Sequence, residues 1–129
     1  MGLKRPVYLD LFKITLPLPG LSSICHRVSG VFMLTSLPLI AYLFILSVQN
    51  EEGFLYVSHI TENSFFCALW LWAFLMALTY HVYSGIRHLL MDLHFFEELH
   101  TARISALIVF ILFAIEALLG TLWFWGIWP

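Results

Sequence analysis

The chain has 129 residues, of which 61% are hydrophobic and only 11% charged, and its mean hydropathy is +0.91. That balance excludes an ordinary soluble domain and marks a membrane protein. Six Lys and Arg against eight Asp and Glu give a net charge of −2, which removes the electrostatic basis for nucleic-acid binding. The two cysteines, Cys25 and Cys67, are too few for an iron–sulfur cluster or a disulfide framework, so any metal must be held by histidine or brought by a partner.

In chain order, the first segment carries Lys4, Arg5 and Lys13 but no apolar signal core or small-residue cleavage site, so no removable signal peptide is expected. Pro17 and Pro19 interrupt helix and predict an extended stretch over Val7 to Gly20 along the membrane surface. The first transmembrane helix is expected over about 22–48, with Ser22 or Ser23 as its N-cap. A second is expected over 65–92, its last two turns reaching the headgroup layer or beyond, and a third over about 104–128 with Glu116 inside it. Each is long enough to cross a bilayer, and lipid cannot hydrogen-bond a bare backbone, so the spans must be uninterrupted helices. The fold class is therefore an all-α membrane protein with three transmembrane helices. No repeat or second domain is apparent; residues 1–129 read as one membrane-anchor domain with 1–21 as its cytoplasmic N-terminal segment.

Charge sets the expected orientation. Lys4, Arg5, Lys13 and Arg27 precede span one, and Arg87 and Arg103 flank the connection between spans two and three, whereas Gln49 to Asn63 holds Glu51, Glu52 and Glu62 without Lys or Arg. The positive-inside rule then puts the N-terminus in the cytoplasm and the C-terminus outside, where Trp123, Trp125 and Trp128 suit an aromatic belt.

Polar groups within the spans are costly and point to function. His81 is the one deep histidine, about 10 Å beyond His88 at helical rise. Ala77, Ser84 and Gly85 lie on its own face. Such a slender surface admits a flat macrocycle whose iron an imidazole can ligate; it equally suits close helix packing around a neutral, hydrogen-bonded histidine. His88 lies seven residues on, on the same side of the helix, and cannot take the opposite axial position. A six-coordinate iron would need its second ligand from another subunit, which implies a haem-bearing heteromer.

Ser23, Arg27 and Gly30 share a face of span one, flanked by His26 and Ser29. Arginine there can fork onto a carboxylate such as a haem propionate, or stabilise an anionic product of quinone reduction, and a nearby serine can donate to a carbonyl. The alternative is a positive-inside anchor beside a capping serine. Arg87, His88 and Asp92 form a third cluster, either an i,i+4 His88–Asp92 interfacial pair or a docking contact. Glu116 requires a partner: either it is protonated and hydrogen-bonded to another helix, or it belongs to a proton or ion path.

Two segments then carry a resemblance. Arg5-Pro6-Val7 leading to Ser23-Ile24-Cys25-His26-Arg27-Val28-Ser29-Gly30, and His81-Val82-Tyr83-Ser84-Gly85-Ile86-Arg87-His88-Leu89-Leu90-Met91-Asp92, resemble the two signatures of the cytochrome b large membrane-anchor subunits of succinate dehydrogenase. The resemblance implies half of a heterodimeric helical-bundle anchor in a bacterial-type inner membrane. It implies that His81 is an axial ligand of one haem b, with the second ligand from the small anchor subunit. Ser23 and Arg27 would border a ubiquinone site near the cytoplasmic face, His26 and Arg27 would approach the haem propionates, and His88 would lie near the haem edge. The remaining partners would be the iron–sulfur and flavoprotein subunits, with succinate oxidation on the flavoprotein. A quinol:fumarate reductase anchor is the nearest functional neighbour. A small transporter subunit, suggested by Glu116 and the buried histidine, is the competitor of another class, and it predicts ion flux without a chromophore.

Overall fold

A computed structural model describes residues 15–127. They form α1 (Leu18–Gln49), α2 (Glu51–Asn63), α3 (Phe65–Asp92) and α4 (Leu99–Ile127). Of these, α1, α3 and α4 are long and apolar enough to cross a membrane. Residues 7–14 of the expected extended stretch, and Trp128, lie outside the described residues.

Three boundaries differ from expectation. The prolines start α1 rather than delaying it: Pro17 is extended at φ −64°, ψ 150°, and the helix begins at Leu18 with Pro19 in its first turn. A missing N–H costs little there, because first-turn amides have no intrahelical partner. Neither Ser22 nor Ser23 therefore caps the helix. Ser22 is buried, and its hydroxyl and carbonyl oxygens lie 3.3 and 3.1 Å from the Tyr80 hydroxyl, which donates to both. At the other end α4 begins at Leu99, five residues before the expected start.

The third difference is α2, which occupies what reads in sequence as a loop. The Asn50 side chain accepts from the Gly53 amide at 2.8 Å, and Glu51 and Glu52 sit in the first turn, where negative charge complements the helix dipole. Gly53 is required by space, since a Cβ there would overlap the Leu46 carbonyl oxygen.

Helix α3 packs against both α1 and α4. The seams are made of small residues: Ser22, Ser29 and Ser36 at seven-residue spacing on α1, Ala68 and Ser84 on α3, and Ala102, Ser105 and Ala106 on α4 are all buried. Most large side chains point outward, with Leu34 70% and Phe66 80% exposed, while Tyr80, Arg87 and Phe124 are buried. This arrangement suits lipid, where no hydrophobic force gathers large side chains and close backbone approach provides the packing. The α3–α4 connection is tight, holding His94 and Phe96 at φ 66° and 64°, a left-handed conformation that costs side-chain-bearing residues about 1–2 kcal/mol each.

Candidate functional site

The α1–α3 seam carries a column of three imidazoles. His26 stacks on His81 with ring centroids 4.0 Å apart and planes 17° from parallel, and on His88 at 4.9 Å and 20°. Sequence spacing placed His81 and His88 on one side of α3; the helix crossing inserts His26 of α1 between them.

Hydrogen bonds fix the deep ring. His81 Nδ1 lies 3.0 Å from Ser29 Oγ and 3.2 Å from the His26 carbonyl oxygen, to which Ser29 Oγ also donates at 2.8 Å. A carbonyl can only accept, so Nδ1 carries the proton and Nε2 presents the lone pair. Metal-binding histidines are commonly oriented by such a bond from the other ring nitrogen to a backbone carbonyl. The stacked His26 covers a face of the His81 ring, whereas Nε2 lies at its edge and in its plane, so the stack leaves that direction to a ligand. His88 is held similarly: its Nδ1 donates to the Ser84 carbonyl at 2.7 Å.

Gly30 makes room for the column, and Gly85 borders it. A Cβ on Gly30 would sit 3.0 Å from His81 Cε1, and one on Gly85 would sit 3.6 Å from His26 Nε2. His26 Nε2 is itself buried without a hydrogen-bond partner, a state that costs a polar nitrogen about 1–3 kcal/mol and makes it receptive to an added polar group. Among the described residues no three His, Cys, Asp or Glu side chains converge on an ion. An iron taken by His81 would therefore draw its other ligands from a macrocycle or another chain. These residues fit a haem.

Ser23 is half-buried and Arg27 exposed at the edge of the column, and neither side chain makes a hydrogen bond to another described residue. Arg27 borders a shallow groove of about 420 Å³ with Val28, Val31, Phe32 and Thr35. The shared face expected for Ser23, Arg27 and Gly30 is divided, because Gly30 turns to His81 while Arg27 turns out of the chain. A second groove of about 440 Å³ runs between α1, α3 and α4 beside Cys25, Ser29, Ala77, Tyr80 and Phe113. It accounts for Cys25 as an apolar wall residue.

The Arg87–His88–Asp92 cluster does not form among the described residues. Arg87 points to α4, with 4% of its surface exposed; its Nε donates to Ser105 Oγ at 3.0 Å and its Nη2 to the Ala102 carbonyl at 3.2 Å. His88 bonds Ser84 instead of Asp92, since a backbone carbonyl one turn back competes well with a carboxylate at the helix end. Glu116 has the helix partner expected for it: Tyr83 donates to one carboxylate oxygen, and Thr79 to the other at 3.4 Å. Spacing alone did not reveal Ser29 as the group orienting His81. The seven-residue repeat Ser22, Ser29, Ser36 was the available signal, as it marks the side of α1 that turns inward.

Residues 1–121 match the family model described as "Succinate dehydrogenase/Fumarate reductase transmembrane subunit". The chain is similar to the succinate dehydrogenase cytochrome b556 subunit of Coxiella burnetii (strain RSA 493 / Nine Mile phase I), 38% identical over 125 residues that cover 97% of this chain and 100% of the relative. It is also similar to the succinate dehydrogenase cytochrome b560 subunit of Marchantia polymorpha, 34% identical over 128 residues, covering 93% and 90% of the two chains.

Proposed function

The chain belongs to the succinate dehydrogenase/fumarate reductase transmembrane-subunit family, as a cytochrome b anchor, and from that premise we propose that it binds one haem b through His81 and helps form a quinone-reduction site at Ser23 and Arg27. The observation that carries this reading is the His81 Nδ1 hydrogen bond, which leaves Nε2 as a pre-aimed ligand deep in an apolar helix pair.

Haem, when bound, supplies a one-electron relay in the membrane. The residues of this chain do the holding. Ser29 and the His26 carbonyl orient His81, as a haem ligand requires. His26 Nε2 and Arg27 would be available to haem carboxylates, and His88 would border the haem. Towards quinone, the Arg27 guanidinium favours the negative charge that develops on the reduced oxygen, and the Ser23 hydroxyl donates to a quinone carbonyl.

The remainder of the assembly lies in other chains. The small anchor subunit would contribute the remaining protein ligand to the iron and complete the heterodimeric bundle. The iron–sulfur subunit delivers electrons and the flavoprotein oxidises succinate. Charge asymmetry supports the Ser23/Arg27 edge at the cytoplasmic face of the inner membrane, with the N-terminus inside and the C-terminus periplasmic. There the iron–sulfur subunit can dock and protons are at hand for quinone. The relatives are named as subunits of succinate dehydrogenase, which supports succinate oxidation over fumarate reduction as the direction of the whole complex. The transporter alternative loses its main support, because both Glu116 oxygens accept hydroxyls from α3.

The test is a reduced-minus-oxidised spectrum of the purified complex during titration with a quinone-site inhibitor. A b-type α band and inhibitor-sensitive quinone reduction are expected. A colourless complex indifferent to quinone analogues would overturn the proposal.

A further inference from the structure

Glu116 is the one carboxylate in the interior of the three spans, and the haem and quinone sites do not use it. Its two hydrogen-bond donors on α3 are Thr79 and Tyr83, two residues before and two residues after His81. At about 100° per residue these positions lie about 160° and 200° round the helix from His81, on the opposite face, and about 3 Å above and below it along the axis. One side chain of α4 thus grips α3 at two points that bracket the histidine from behind.

We propose that Glu116 is a positioning residue for His81: its paired hydrogen bonds fix the depth and rotation of α3, and with them the aim of the imidazole. The inference rests on the haem reading above for its functional meaning. The geometry gives it force. A rotation of about 20° carries a group about 5–6 Å from the helix axis through about 2 Å, far more than the roughly 0.5 Å within which a functional site must be held. In front of His81, Ser29 and the His26 carbonyl steer the ring itself; behind it, without Glu116, the α3–α4 seam would keep the Arg87 hydrogen bonds, six residues further along α3, and side-chain packing that resists rotation weakly at the level of His81, since lipid solvates the helix on either side of the seam.

Glu116→Gln keeps an acceptor for Tyr83 and an amide to pair with Thr79, and Glu116→Leu keeps only the volume. In the whole purified complex, Glu116→Gln is expected to retain the wild-type low-spin haem signal. Glu116→Leu and the Thr79→Val/Tyr83→Phe double variant are expected to shift that signal and to release haem about ten-fold faster. Lower assembly or thermal stability in Glu116→Leu, with an unaltered signal per assembled complex, would show a merely structural role and overturn the proposal. A haem-independent measurement separates this failure from failure of the haem reading. In membranes, with Cys25 and Cys67 replaced by Ala, the Ser29→Cys/His81→Cys pair is joined by a short bis-methanethiosulfonate linker. Addition of Glu116→Leu is expected to slow the linking. Slower linking together with a haem signal unaffected by His81→Leu would sink the haem assignment and leave the clamp standing; an unchanged linking rate sinks the clamp.

Discussion

Helix α3 meets α1 on one side and α4 on the other, and the two seams differ in chemistry. Towards α4 the polar groups level with the site are matched within the chain: Thr79 and Tyr83 to Glu116, and Arg87 to Ser105 and the Ala102 carbonyl. Towards α1 the polar groups are ordered but incompletely matched. His81 is oriented by Ser29 and the His26 carbonyl, yet His26 Nε2 is buried and unpaired, and Arg27 is exposed beside a half-buried Ser23. A seam that satisfies itself is scaffold; one that spends hydrogen bonds on aiming a ring, and leaves acceptors and donors over, is prepared for something added.

The contrast can be broken most directly at His81. His81→Leu is expected to abolish the axial-histidine signature of the complex in low-temperature electron paramagnetic resonance; an unchanged signature would place the iron ligand elsewhere. Next in size, Arg27→Ala should lower quinone reduction by roughly 10²–10³-fold, the usual effect of removing a donor to a developing oxyanion. Succinate oxidation by an artificial dye, which bypasses quinone, should persist in that variant, and wild-type quinone turnover would remove Arg27 from the site.

On the other seam the effect should appear as stability. Arg87→Ala deletes two buried hydrogen bonds and is expected to cost about 2 kcal/mol, read as earlier unfolding in a denaturing-detergent titration, with the haem spectrum of the assembled fraction unaltered. A changed spectrum with unchanged stability would reverse the roles assigned to the two seams. The smallest effect separates two glycines. Gly30→Ala meets the His81 ring at 3.0 Å, whereas Gly85→Ala has 3.6 Å to His26. The first should cost about 1 kcal/mol of overpacking and disturb the haem band, and the second should leave the band in place.

Much of the scaffold was legible before any coordinates. Long uncharged runs announced the three helices, because lipid tolerates little else, and His81 stood out as the deep ionisable group. The beginning of α1 was misread because Pro17 and Pro19 are as much helix starters as breakers, and which role they play depends on whether the chain ahead of them continues the helix. Helix α2 was hidden behind its charges: Asn50, Glu51 and Glu52 form an N-terminus signal, but an acidic connection between two spans draws attention to topology instead.

The site was legible in part. His26, His81 and His88 were each singled out, yet their stacking was not, nor the inward turn of Arg87. Spacing had suggested a His88–Asp92 pair, and the structure gives His88 to Ser84 and Arg87 to α4.

By itself the sequence determined that this chain lives in a membrane, how many times it crosses, and which few side chains are too polar to be there without purpose, for these follow from transfer free energies and from periodicity along a single helix. The tertiary structure decided who meets whom: His26 inserted between two histidines of α3, Ser29 on the ring of His81, and Glu116 behind it. Those contacts depend on how the helices cross and on their relative rotation, quantities set jointly by all the small residues in both seams and carried by no single segment.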